Sequence, residues 1–306
     1  MKPISYYSVA VAAFLTFALF SSYTPSEQTT TTSSVAETSK RLPQLIKPVD
    51  LDKSFDFAGE PLPMNNFDVR ERLDRELVVN SYRHGNTLLN IKKAARFFPL
   101  IEKILQEHNI PNDFKYMAVA ESDLSNAISP AGAKGFWQFM RPTARDYGME
   151  VSSTVDERYH LEKATHAACK YILKLHRQFG NWSLAAAAYN MGQTRLAKEI
   201  AQQKAKNFYD LNLNLETSRY LFRLVAIKEI LNNPDDFGFD LGTELYQPLD
   251  NFAVVEVNSA ISNLGDFAQK YGTSYRMLKR YNPWLISTSL ANSSKKKYFI
   301  KIPISE

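Results

Sequence analysis

At 306 residues, with 44% hydrophobic and 23% charged side chains, the chain has the composition of a globular protein and room for one sizeable core plus a smaller module. A net charge of +5 and a pI near 9.0 favour anionic polymers or surfaces; no nucleic-acid motif accompanies the charge, so no nucleic acid is expected as a partner. The single cysteine, Cys169, excludes an internal disulfide and a Cys-cluster metal site, and the five histidines show no HExxH spacing, so neither metal nor cofactor is expected.

In chain order, Lys2 precedes an apolar run, Val9–Phe20, interrupted only by Thr16, which reads as an export signal over residues 1–20. Counted from Ile4, the run approaches the lower limit for a membrane span, so a cleaved signal and an uncleaved anchor both fit. No cysteine follows it, which excludes a lipoprotein anchor. Either way the rest of the chain is expected to leave the cytoplasm, for the periplasm or cell envelope, with membrane association through residues 4–20 in the anchored case. Residues 21–66 read as a linker: Thr29–Ser34 is a Ser/Thr run, and Pro43, Pro48, Pro61 and Pro63 punctuate the rest.

From Phe67 the pattern turns helical. Val69, Leu73 and Leu77 mark one amphipathic helix, and Phe97, Phe98, Ile101, Ile104 and Leu105 the apolar side of another. Asn109-Ile110-Pro111 breaks the chain, and Asn112 is the expected N-cap of the next helix. There Phe114, Met117, Ala118 and Glu121 fall at i, i+3, i+4 and i+7, on one face. A lone helical glutamate more often points into water; this one shares its face with three apolar residues. A carboxyl desolvated in that way holds its proton towards pH ~6 and can act as a general acid.

Ser129, Pro130, Gly132, Ala133 and Gly135 then form a loop of small residues that another backbone or a ligand can approach closely. A second short helix carrying Trp137, Gln138 and Met140 is expected after it. Helices follow over about Leu161–Gln178, where Cys169 reads as a small buried hydrophobe, and over Trp182–Tyr189, apolar almost all round and therefore buried. Gly192 is the expected left-handed cap of the latter. A last helix, about Glu216–Leu231, points Tyr220, Leu224, Ile227 and Leu231 inward, and residues 238–250 read as a second linker. Beyond Phe252 the period changes to strand, two short helices and strand. Lys295-Lys296-Lys297 falls in the loop before the last strand.

Glu121-Ser122, the run from Ser129 to Met140, Thr143-Ala144 and Tyr147-Gly148 together resemble the signature of lytic transglycosylases with the soluble-transglycosylase (SLT, lysozyme-like) domain. The match is most similar to the membrane-bound murein transglycosylase D type. Ala188-Tyr189-Asn190-Met191-Gly192 resembles the family's Ala-Tyr-Asn-Ala-Gly motif, with Met191 in place of a small residue. Glu216-Thr217-Ser218-Arg219-Tyr220 resembles its Glu-Thr-x-x-Tyr motif. Residues 251–306, with Phe267–Thr273, Leu278 and Asn282-Pro283-Trp284, resemble a LysM module, in which Ile261-Ser262-Asn263 replaces the usual Gly-Asp-Thr.

The resemblance implies a mainly α chain: a lysozyme-like catalytic domain over residues 67–237, then a small β-α-α-β LysM-like module. It implies cleavage of peptidoglycan between N-acetylmuramic acid and N-acetylglucosamine, with Glu121 as catalytic acid and Ser129, Gln138, Met140, Tyr189, Asn190, Glu216 and Tyr220 lining the glycan groove. A hydrolytic muramidase on the same fold and a silent wall-binding protein are the alternatives. Since every catalytic motif precedes Leu241, removal of residues 251–306 is expected to leave activity on soluble glycan fragments intact.

Overall fold

The computed structural model describes residues 47–304; the export segment and residues 21–46 of the first linker lie outside the described residues. No helix among the described residues is long and apolar enough to cross a membrane. The chain is mainly helical with a small β-α-α-β end, the class its periodicity indicates.

The first departure comes at residues 47–66, which pack against the helices although a linker was expected there. A short antiparallel hairpin, β1 (Asp56–Phe57) and β2 (Glu60–Pro61), places Phe55, Phe57 and Leu62 in the core. Three apolar anchors in eight residues outweigh the prolines, but they follow no regular period and so leave no pattern to read. Glu60 accepts hydrogen bonds from the Trp182 and Ser183 amides at 2.6 and 2.9 Å, capping a helix over a hundred residues away.

Helices α1 (Phe67–Tyr82) and α2 (His84–Glu107) carry the expected apolar stripes. Asn112 does not cap: residues Asn112–Phe114 form a 3-10 turn that feeds α3 (Lys115–Ser122), and the Asn112 amide reaches Glu102 instead. The expected short helix around Trp137–Met140 is a tight turn. Gln138 has φ +46° and Gly135 φ +80°, which no helix accommodates, and α4 (Arg141–Asp146) starts only afterwards.

Helices α5 (Leu161–Phe179) and α6 (Trp182–Met191) follow, the latter buried along Ser183–Ala188. Gly192 has positive φ but an extended ψ of 134°, so it is a corner rather than a left-handed cap. It leads directly into α7 (Gln193–Gln203), a helix with one buried anchor, Leu196, too sparse a stripe to be read. Helix α8 (Leu215–Asn232) is central, packing on α1, α3 and α6, with Tyr220, Leu224 and Ile227 buried.

Residues 238–250 run along α2, where the Tyr246 amide donates to the Lys92 carbonyl and Arg96 donates to the Gln247 carbonyl. Strands β3 (Phe252–Val257) and β4 (Tyr298–Pro303) then pair antiparallel, Val254 opposite Lys301, around α9 (Leu264–Lys270) and α10 (Tyr275–Tyr281). Asn263, in the place of the usual threonine, caps α9 by accepting from the Gly265 amide at 2.7 Å. The core of this module includes two residues of the helical part, Val155 and Tyr159.

Candidate active site

Glu121 occupies the penultimate position of α3, a helix fixed because Phe114, Met117 and Ala118 on its own face, and Tyr116 and Val119 beside them, are buried. Glu121 is half-buried, and protein crowds its carboxyl. That crowding raises its pKa to about 7. Glu216 adds repulsion in the same direction. The Tyr220 hydroxyl, donating to Oε1 at 2.6 Å, and the positive charge of Arg223 oppose it.

Immediately beyond the acid the backbone turns through two left-handed non-glycine residues, Asp123 (φ +50°) and Leu124 (φ +49°). The Asp123 side chain is held by the amides of Asn86 (3.1 Å) and Asn90 (2.8 Å), and Lys93 donates to its carbonyl. Ser122 lies within hydrogen-bond distance of the Ala118 carbonyl behind it and of the Phe136 carbonyl across the loop, tying helix to loop.

The loop itself is a small network. Lys134 and Phe139 exchange backbone hydrogen bonds, and the Ser129 amide donates to the Ala133 carbonyl while Ser129 Oγ accepts from the Ala133 amide. Gln138 Nε2 donates to the carbonyls of Ala127 and Gly135. Trp137 is fully buried and donates to Thr165 Oγ1, and its own carbonyl accepts the Tyr189 hydroxyl at 2.7 Å. Buried Arg158 holds the loop from below: it forks onto Asp156 at 2.9 and 2.8 Å and donates to the Gly132 and Phe139 carbonyls, both at 3.1 Å. Gly135 is obligatory, since a Cβ there would lie 1.9 Å from the Arg158 carbonyl oxygen. The close approach expected of this loop is thus made by a backbone.

Tyr220, Tyr189 and Glu216 converge on Glu121: one through a hydrogen bond, the others by charge coupling. Burial keeps both tyrosines well above the usual phenol range, hence protonated and able to donate. Gln138 and Ser129 hold the loop, Asn190 accepts from Thr217 Oγ1 at 2.8 Å, and Met140 is 43% exposed. Glu216 is exposed. Of the other nearby carboxylates, Asp123 is held by its two asparagines and Asp156 by Arg158. Sequence reasoning quoted Ser122 only in the pair Glu121-Ser122 and passed over Asp156 and Arg158 as supports of this loop; Ser122 and Arg158 lie 36 residues apart, and none of the three stands in a periodic pattern.

The Transglycosylase SLT domain family matches residues 98–212, and the Soluble lytic transglycosylase C-terminal LysM-like domain family matches residues 253–306. The chain is 29% identical over 256 residues to the membrane-bound lytic murein transglycosylase D of Escherichia coli K12, covering 81% of this chain and 55% of that protein. It is 33% identical over 134 residues to a putative tributyltin chloride resistance protein of Alteromonas sp. strain M-1, 42% of this chain and 65% of the relative. Among solved structures, the 70 kDa soluble lytic transglycosylase of Escherichia coli aligns at TM-score 0.41 and 18% identity, over 57% of this chain and 33% of that one. The chain spans about half the length of the transglycosylase D relative it matches. Residues 98–212 are accordingly a transglycosylase SLT domain, and residues 253–306 a LysM-like domain of the kind that ends the soluble lytic transglycosylases.

Proposed function

We propose that this chain is a peptidoglycan lytic transglycosylase of the cell envelope, with Glu121 as its one catalytic carboxyl. The desolvated Glu121 carboxyl, protonated to about pH 7 and hydrogen-bonded by Tyr220, carries this reading. Its proton passes to the glycosidic oxygen as the bond from the muramoyl C1 breaks and the N-acetylglucosamine unit leaves. The Glu121 carboxylate then takes the proton of the muramoyl 6-hydroxyl as that oxygen bonds to C1, closing a 1,6-anhydro ring. The acid is regenerated and no water is consumed.

Tethering of the 6-hydroxyl to the reacting sugar favours it over a free water. An ordinary two-carboxylate site needs its second carboxylate ~5 Å away to attack, or further to activate water. Asp123 and Asp156 are both engaged by side-chain donors, which leaves exposed Glu216 as the rival. Ser129, Gln138, Met140, Tyr189 and Asn190 form the groove in this reading. The basic net charge suits an anionic wall polymer, and the name of the membrane-bound relative accords with an exported chain carrying residues 1–20 as signal or anchor. Mass analysis of muropeptides released from purified sacculi tests the reaction: 1,6-anhydromuramoyl ends are expected. Mainly reducing ends would make Glu216 a water-activating base and the enzyme a muramidase, and no release at all would leave a wall-binding protein.

A further inference from the structure

Among the described residues, the most deeply buried charge is Glu76 on α1, 0% exposed, and the proposed mechanism leaves it unused. Three arginines surround it, Arg75 from its own helix and Arg219 and Arg223 from α8. Its two oxygens are served unequally. Oε1 accepts from Arg75 Nη1 and from Arg219 Nε, each at 2.6 Å. Oε2 accepts no hydrogen bond among the described residues; Arg223 Nε stands 3.5 Å from it, an ion pair too long for a strong hydrogen bond. A cluster that only clamped α1 to α8 would bond both oxygens, because a buried carboxylate is costly to leave half satisfied, and apolar side chains of similar volume would clamp at lower cost. This one carries three guanidinium groups against one carboxylate and leaves Arg223 the loosest of the three.

Arg223 has a second carboxylate in front of it. Glu216, Tyr220 and Arg223 recur at i, i+4 and i+7 of α8 and share one face. Tyr220 on that face bonds Glu121 at 2.6 Å, and Arg223, partly exposed, lines a small cavity with Val119, Ala120 and Asp123 at the end of α3. The remaining groups about the acid come from three elements. Tyr220 and, from α6, Tyr189 stay protonated, while Glu216 opposes ionisation of Glu121. From α2, Asn86 and Asn90 hold the Asp123 carboxylate, Lys93 is spent on the Asp123 carbonyl, and Arg83 lies just before that helix on the same cavity. Among these cations, the one that bears on the Glu121 charge is Arg223, which favours the ionised carboxyl.

We propose that Arg223 is a positioning residue of this reaction: anchored by Glu76, it holds its charge toward the carboxylate left on Glu121 once the proton has passed to the glycosidic oxygen. Glu76 restrains and partly neutralises that charge, so the resting acid keeps its proton. The role rests on the transglycosylase reading, but the test begins without substrate. The Glu121 carboxyl carbon of the full chain is followed by NMR through pH, with Glu121→Gln identifying its signal. The wild-type midpoint is expected at about 7. Arg223→Gln should raise it by roughly half a pH unit, the order of a partly screened charge several ångströms away. Arg223→Lys, which keeps the charge, should fall between the two, and Glu76→Gln, which frees the charge of the arginines, should lower the midpoint. The alkaline limb of kcat/KM on glycan chains should move with each midpoint, up for Arg223→Gln and down for Glu76→Gln. An unmoved midpoint in Arg223→Gln overturns the proposal, as does a limb that stays in place while the midpoint moves. An equal loss of rate at every pH also overturns it and leaves the cluster a clamp. If Glu76→Gln does not fold, the two Arg223 variants decide alone. A wild type that releases no anhydromuramoyl ends refutes the transglycosylase reading instead, whatever the midpoints do.

Discussion

The two walls of the proposed glycan groove are held by different physics. On one side, Glu121 and Tyr220 sit on α3 and α8 among residues sunk in the main core, Tyr220 being one of them, so apolar packing fixes the acid. On the other side, the loop from Ser129 to Met140 has few apolar anchors of its own beyond Phe136, Trp137 and Phe139. It is shaped by backbone hydrogen bonds, a glycine and one buried guanidinium. A wall held by many weak contacts degrades gradually under substitution. A wall held by a few buried polar ties fails when one is cut.

The largest expected effect lies on the helical wall and is chemical. Glu121→Gln keeps the size of the side chain and its bond to Tyr220 but delivers no proton. Turnover should fall by about 10²–10⁴-fold with the fold intact. The same variant should gain stability with pH. Because folding raises the carboxyl's pKa, ionisation is unfavourable in the native state. The wild type is thus spared that cost below pH ~4.5 and carries it in full above about 7, on the order of 3 kcal/mol. Melting curves should therefore coincide near pH 4 and separate by pH 8, with Glu121→Gln the higher; curves that stay parallel would mean that the carboxyl is not desolvated.

Next come the polar ties of the loop. Arg158→Lys keeps the charge but loses the fork onto Asp156 and the donors to Gly132 and Phe139, so loop geometry should drift and kcat fall by about 10–100-fold. Because Glu121 and Tyr220 sit on the other wall, the pH profile of the residual activity should be that of the wild type. A displaced profile would show that the two walls are not independent. Gly135→Ala, which drives a methyl into the Arg158 carbonyl, should cost about 3 kcal/mol or more in thermal unfolding.

This contrast also accounts for what was legible. The faces of α3 and α8 repeat at 3.6 residues, so the sequence places Glu121, Tyr220 and their helices correctly. The loop has no period. Its conformation depends on Arg158, whose own position depends on Asp156, and long-range polar ties between single residues leave no local signature. For the same reason Trp137 and Gln138 read as helical when Gln138 is in fact left-handed. Residues 47–66 hid their three core anchors among prolines, and Glu60 gives no hint in the sequence that it caps α6.

Removal of the LysM-like module separates the walls further. The segment Glu150–Glu162 carries Arg158 on one side and the module on the other. The Asp156 amide donates to the Trp284 carbonyl, Trp284 stacks on His160, Lys296 and Tyr298 bind Glu150, and Val155 and Tyr159 lie in the module's core. From these contacts we predict, against the expectation drawn from motif positions alone, that residues 251–306 contribute to activity on soluble fragments. Truncation after Asp250 should bare this segment, lower the melting temperature, and reduce kcat on soluble glycan about three- to tenfold by loosening Asp156 and Arg158. Trp284→Ala in the full chain should move the same two quantities in the same direction. Full kcat in both proteins would show that the segment stands unaided.

The smallest effect returns to the helical wall. Tyr220 stays protonated throughout the working range and donates to the Glu121 carboxylate, so it favours the ionised form and holds the pKa below the value burial alone would set. Tyr220→Phe removes that donor and leaves the ring in the core. The acid must be protonated to act, so activity is lost as pH rises through its pKa. Without the donor that pKa rises, and the alkaline limb of the kcat/KM profile should move up. A hydrogen bond to a charged group is worth about 1.5 kcal/mol, which sets the displacement at up to about one pH unit. At pH 5, where Glu121 is protonated in both proteins, the variant should differ little from wild type, because the neutral carboxyl gains less from the donor. A limb that moves down, or an equal loss of rate at every pH, would mean that Tyr220 orients the sugar rather than tunes the acid. Of the variants described, this one would most sharply distinguish an acid placed by packing alone from one also tuned by its neighbour.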